Sequence, residues 1–217
     1  MHGRRPTNIR NKVVSLLILE GDTEQEFYPI IRDRFLIGIA IKLQNIKGQG
    51  NTNKDVLAEI YKYTYNNHTD LVRAYCCVDT EKQNTTATPL ELDFVREQIR
   101  MKRLHTVLSV EAILADPDIE SWFFYDIKGI YKFLRAPKSQ RNIRKYANPK
   151  NLRKKDLSEL FNRFGKVYLP GKRAKHFIET LDIEKIVSCC GELHAGINRI
   201  SSQAHNMTND IFASPQR

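Results

Sequence analysis

Apolar runs alternate with amphipathic stretches along the first 125 residues, and most changeovers fall on a turn or a capping signal. Val13–Leu19 holds six apolar residues in seven, three of them β-branched, which is the length and composition of a strand buried on both faces. Behind it, Glu20-Gly21 permits a sharp turn, and Thr23 with Glu26 has the Thr-x-x-Glu spacing of a capping box. A helix is therefore predicted from Glu24 to about Ile37, with Phe27, Ile30, Ile31 and Phe35 on one side and a bend or late start at Pro29. Ile39–Ile46 alternates as a second strand, Gly48-Gln49-Gly50 forms a loop, and Thr52-Asn53-Lys54-Asp55 caps a second helix. The third strand, Leu71–Val78, runs into Asp79-Thr80-Glu81. Thr88-Pro89-Leu90-Glu91 then opens a helix to about Arg103. A fourth strand is predicted from Thr106 to Leu114, followed by a helix with Asp116 as cap and Pro117 in its first turn.

Parallel neighbours need crossover connections, so strands alternating with helices up to Tyr125 predict an α/β fold. The expected form is a Rossmann-like, mostly parallel sheet flanked by helices. Beyond Asp126 the strand period disappears, and Ile130–Leu134, Asp156–Phe164, Thr180–Ser188 and Gly191–Ile200 read as helices around a basic loop from Ala136 to Lys150. The expected division is a basic arm over residues 1–12, a sheet domain over 13–125, a basic helical extension over 126–202 and a flexible tail over 203–217.

Composition narrows the function classes. With 217 residues, 41% of them hydrophobic, the chain can bury a sizeable core. No apolar run approaches the roughly 18 residues of a membrane span, and the polar, basic N-terminus lacks a secretory h-region, so a cytoplasmic protein is expected. The cysteines fall in two adjacent pairs, Cys76-Cys77 and Cys189-Cys190, which suit neither a metal knuckle nor a spaced disulfide framework. The net charge of +10 is concentrated: Lys128–Lys175 carries 16 Lys or Arg against two acids, a local balance of +14, and the rest of the chain sums to −4. A cationic segment beside acidic strand ends is expected where phosphates must be drawn toward carboxylates. The candidate phosphate contacts are Arg135, Lys138, Arg141, Arg144, Lys145, Arg153, Lys154, Lys155, Lys172, Arg173 and Lys175. The aromatics interleaved with them, Tyr131, Phe133, Tyr146, Phe161 and Phe164, are expected in the core.

Three predicted strands end in acid: Glu20, then Asp79 with Glu81, then Glu120. Residues i and i+2 at a strand end project to one side, so Asp79 and Glu81 can converge on a hard cation. Carboxylates in such a set can hold Mg²⁺ for an in-line displacement at phosphorus, or they can simply cap the helices that follow.

On these residues the chain resembles the Toprim family, the catalytic domain of topoisomerases, primases and several nucleases. Leu17-Ile18-Leu19-Glu20-Gly21-Asp22-Thr23-Glu24 is similar to its strand ending Glu-Gly. Val78-Asp79-Thr80-Glu81 is similar to its Asp-x-Asp, with Glu81 replacing the usual second Asp. Asp116-Pro117-Asp118-Ile119-Glu120-Ser121-Trp122 resembles the Pro-x-x-Glu-x-Trp element of small stand-alone bacterial Toprim proteins of the RloB and OLD-nuclease kind. The resemblance implies Glu20, Asp79 and Glu81 as catalytic residues and metal ligands, Glu24 and Glu120 as further metal ligands, and Mg²⁺ or Mn²⁺ as cofactor. It implies a nuclease acting on DNA or RNA, tRNA included, in phage or mobile-element defence beside an ATPase partner protein. The alternative is a non-catalytic nucleic-acid-binding or regulatory subunit of an ATPase-containing defence complex. Self-association into a homo-oligomer is left open.

Overall fold

A computed structural model describes residues 11–48, 50–80 and 89–205. Glu81, Gln49, the Thr88 cap, the arm over residues 1–10 and the tail over 206–217 lie outside the described residues.

Strands β1 (Val13–Leu19), β2 (Ile41–Asn45), β3 (Leu71–Asp79) and β4 (Val107–Ala115) form one sheet in the order β2-β1-β3-β4, with every pairing parallel. Helices α1 (Asp22–Phe35), α2 (Thr52–Asn66) and α3 (Leu92–Met101) connect successive strands. After β4 come α4 (Ile119–Phe123), α5 (Ile127–Phe133), α6 (Lys154–Arg163), α7 (Lys175–Glu179), α8 (Ile183–Cys189) and α9 (Gly191–Gln203). The chain is thus an α/β protein of the Rossmann-like kind. No helix among the described residues is long and apolar enough to cross a membrane.

Alternation along the strands sorts the core into two layers. Val14, Leu16 and Ile18 of β1, with Val72, Ala74 and Cys76 of β3, pack against Val56 and Ile60 of α2 and Val95 and Ile99 of α3. The opposite side chains, among them Leu17, Leu19, Tyr75, Cys77 and Ile113, share one core with Phe27 and Ile31 of α1 and with Phe177, Ile186, Leu193 and Ile200 of the C-terminal helices. The segment beyond residue 126 therefore covers the second face of the sheet. Its aromatics are core, as expected: Tyr131, Tyr146 and Phe161 are buried, and Phe161 meets Phe177 edge-on at 5.1 Å between ring centroids. Gly196 lets α9 lie directly on β4, since a Cβ there would come within 2.8 Å of Ile113 Cδ1. Gln203, expected in the tail, closes α9, and its Oε1 accepts a hydrogen bond from the Tyr75 hydroxyl at 2.9 Å.

Several helix starts differ from expectation. Gly21 precedes α1 with no side-chain cap, so the Thr23–Glu26 box does not form; the Thr23 hydroxyl is engaged elsewhere. Pro29 sits inside α1 without ending it. Asn51, not Thr52, caps α2 by accepting from Lys54 N–H, and α3 begins only at Leu92. The cap of α4 is Asp118, not Asp116.

Candidate functional site

The parallel register places Leu19 of β1 beside Cys77 of β3, and Asp79 beside Ala115 of β4. Adjacent strands run about 4.8 Å apart, so residues just past these pairs stand side by side at one edge of the sheet. Glu20 is fixed there by its carboxylate: Oε2 accepts the Asp79 N–H at 2.8 Å. Asp79 Oδ1 in turn accepts the Ile119 N–H at 3.0 Å, which ties the end of β3 to the start of α4. Glu120 follows on the first turn of α4, is 3% exposed, and receives two hydroxyls on Oε1, from Tyr168 at 3.0 Å and Thr23 at 3.3 Å. Glu24, in the first turn of α1, is 5% exposed, and its carboxylate turns back to the amides at the helix start, where the dipole favours it.

Burial and mutual repulsion push the carboxyls of Asp79, Glu24 and Glu120 upward. Asp79 is pushed up to about 10, first by burial and then by the charges of Glu24, Glu120 and Glu20. Glu24 is pushed up to about 8, again mainly by burial, with Glu120 and Glu20 adding and the amides of Glu24 and Gly21 opposing. Glu120 is raised by burial and by Asp118, while Lys154 and the Tyr168 hydroxyl oppose the shift. Burial also raises Tyr168 itself, so it serves as a neutral donor to Glu120.

A cation is the ordinary remedy for such crowding. The donor set, all carboxylate oxygens, fits a hard divalent ion in kind. Among the described residues, however, no three His, Cys, Asp or Glu side chains stand together as a formed metal-holding group. Each acid is turned toward its own local donor instead. Glu20, Glu24, Asp79 and Glu120 are brought together; the fifth expected ligand, Glu81, lies outside the described residues.

Asp116 has a different place from the expected one. Its carboxylate is exposed and accepts the Thr80 hydroxyl at 2.9 Å. Asp118, 1% exposed, accepts Ser121 N–H at 2.9 Å and Lys154 N–H at 2.8 Å, so a single carboxylate serves the first turns of both α4 and α6. Asp is a favoured N-cap residue, so Asp118 was as readable a candidate for this cap as Asp116. For Thr23, Tyr168 and Gly171 no local signal existed: Gly171 N–H donates to Thr23 Oγ1 at 3.4 Å, and a Cβ at Gly171 would meet Asp22 Cβ at 2.9 Å.

The basic residues divide. Lys154 acts on Glu120 and Asp118, and Lys172 and Arg173 line a cavity of about 420 Å³ with Asp22, Gln25, Glu26 and Gly171, whose N–H donates to the Thr23 hydroxyl that Glu120 receives. Lys175 is exposed on the first turn of α7, and Arg153 and Lys155 flank Lys154 at the start of α6. Arg135, Lys138, Arg141, Arg144 and Lys145 are exposed along the 3-10 turns between α5 and α6, with local contacts such as Arg141 Nε to Ala136 O at 2.9 Å and Lys145 Nζ over the Tyr146 ring. No protein-family model matches the chain, and no curated protein or solved structure matches it either.

Proposed function

We propose that the chain is a Toprim-like, divalent-metal-dependent nuclease that cleaves phosphodiester bonds in DNA or RNA. The observation that carries this reading is the convergence of Glu20, Glu24, Asp79 and Glu120 at the carboxyl edge of a parallel sheet, the place where open α/β folds bind ligands. Glu20, Asp79 and Glu120 would hold Mg²⁺ or Mn²⁺, with Glu24 behind them. A bound ion would polarise a phosphoryl oxygen and offset developing negative charge. Glu20 is braced by the Asp79 amide, and Glu120 by Tyr168 and Thr23, so the chain keeps its carboxylates oriented without solvent. Lys154 sets positive charge against Glu120, and Lys172 and Arg173 follow Gly171, whose N–H meets Thr23 beside that acid, so a phosphate chain would find cations near the carboxylates.

One observation favours a second reading, the non-catalytic nucleic-acid-binding or regulatory subunit: the described carboxylates do not form a ready ligand group. Incubation with labelled plasmid, single-stranded DNA and tRNA under Mg²⁺, Mn²⁺ and EDTA separates the two. Cleavage that needs metal and is abolished in Asp79→Ala, with the variant still folded, supports the nuclease. Binding without cleavage under every metal supports the subunit. Participation in phage defence with an ATPase partner is part of the same proposal and rests on the resemblance.

A further inference from the structure

At the other end of the sheet, between the carboxyl ends of α2 and α3 and the start of β4, lies a cavity of about 530 Å³, within the range that accepts a small organic molecule. Tyr61 and Tyr65, one turn apart on α2, line one wall, and Tyr65 is left 86% exposed. Lys102, Arg103 and His105 of the α3–β4 connection line another, with His68 beside them. Two aromatic rings beside several basic groups form a surface for a planar ring that carries an anion.

Two cations at the end of α3 could be explained by its dipole alone. That does not account for the backbone of Arg103, which has φ 53°. Leu104 N–H closes back on Ile99 O at 3.2 Å, so Arg103 occupies the left-handed position that follows a helix, where glycine is ordinarily placed. An arginine held there at a conformational cost is expected where its guanidinium is used. Nor does the dipole explain a tyrosine ring left in solvent beside the cavity.

We infer that this cavity binds a nucleoside phosphate, its base against Tyr65 and Tyr61 and its phosphate between Lys102 and Arg103. The ligand is either a free nucleotide or the phosphorylated end of a nucleic acid strand. The nine residues of β3, of which Asp79 is the last, run from the cavity's end of the sheet to the carboxylates, roughly 25 Å at the rise of a strand, so the inference stands independently of the carboxylate site.

The test is calorimetric titration in EDTA with AMP, adenosine, inorganic phosphate and a 5′-phosphorylated single-stranded dinucleotide. AMP is expected to bind more tightly than adenosine or phosphate alone. A dinucleotide that binds more tightly than AMP assigns the site to nucleic acid, and the reverse order assigns it to free nucleotide. Tyr65→Ala, at an exposed position, should weaken AMP at least about tenfold through lost stacking. Arg103→Gly should weaken AMP while raising Tm, since glycine adopts this backbone freely; that opposite movement rules out misfolding as the cause. Absence of AMP binding, phosphate binding as tightly as AMP, or affinities unchanged in both variants would overturn the inference.

Discussion

Replacing Glu24 with glutamine should stabilise the metal-free protein, and by an amount that grows with pH. Burial and the neighbouring carboxylates push Glu24 from an ordinary 4.5 up to about 8. The native state therefore binds a proton that the unfolded state has released, and the sign follows: stability falls as pH rises from the unfolded value through the folded one. At pH 7 linkage over that window amounts to about 3 kcal/mol for this group, and at pH 5 to less than about 1 kcal/mol. Glutamine removes the ionisation but keeps one acceptor oxygen for the amides at the start of α1, and losing the second acceptor trims the gain to about 1–2 kcal/mol at pH 7. For a chain of this length that corresponds to a Tm higher by roughly 2–8 °C. Thermal melts of both proteins in EDTA across pH 5–8 make the comparison, with the curves expected to diverge toward alkaline pH. Saturating Mg²⁺ should reverse the ordering, because a cation that binds only the folded acids stabilises the wild type more than the variant. Melting temperatures that fall in parallel for wild type and Glu24→Gln would refute the reasoning, since the ionisation of Glu24 would then not contribute to the pH dependence.

Asp118→Ala leaves the amides of Ser121 and Lys154 without their buried acceptor and should cost about 2–4 kcal/mol, read as a loss in urea midpoint, whereas Asp116→Asn, at an exposed acid, should be nearly silent. Tyr168→Phe removes the 3.0 Å hydroxyl on Glu120; if the nuclease reading holds, turnover should fall several-fold with substrate affinity unchanged, and equal losses in both would assign Tyr168 to substrate binding instead. Neutralising Lys172 and Arg173 together should make the salt dependence of duplex binding shallower by about 2 units of slope, measured by fluorescence anisotropy, and an unchanged slope would remove this pair from the phosphate path.

The alternation of strand and helix was readable from local pattern, because burial on both faces demands continuous apolar runs such as Val13–Leu19 and a parallel sheet demands a crossover after each. That Glu20 and Asp79 close their strands was equally legible, since a strand end needs only its own residues. Convergence was not, because it depends on the β2-β1-β3-β4 order and on a register that sets Leu19 beside Cys77. The caps show the same divide. Thr23 has a capping-box neighbour in sequence, yet its hydroxyl goes to Glu120, ninety-seven residues away. Asp118 outcompetes Asp116 because it alone meets two helix starts, and the second of these, at Lys154, arrives from a distant segment. The basic stretch read as an appendage by composition, while its buried aromatics make it the cover of one face of the sheet. Periodicity and spacing report what a segment can bury or cap; which partner it meets is decided by long-range packing, and at this site the partners are what place Tyr168 and Thr23 on Glu120 and the Asp79 amide on Glu20.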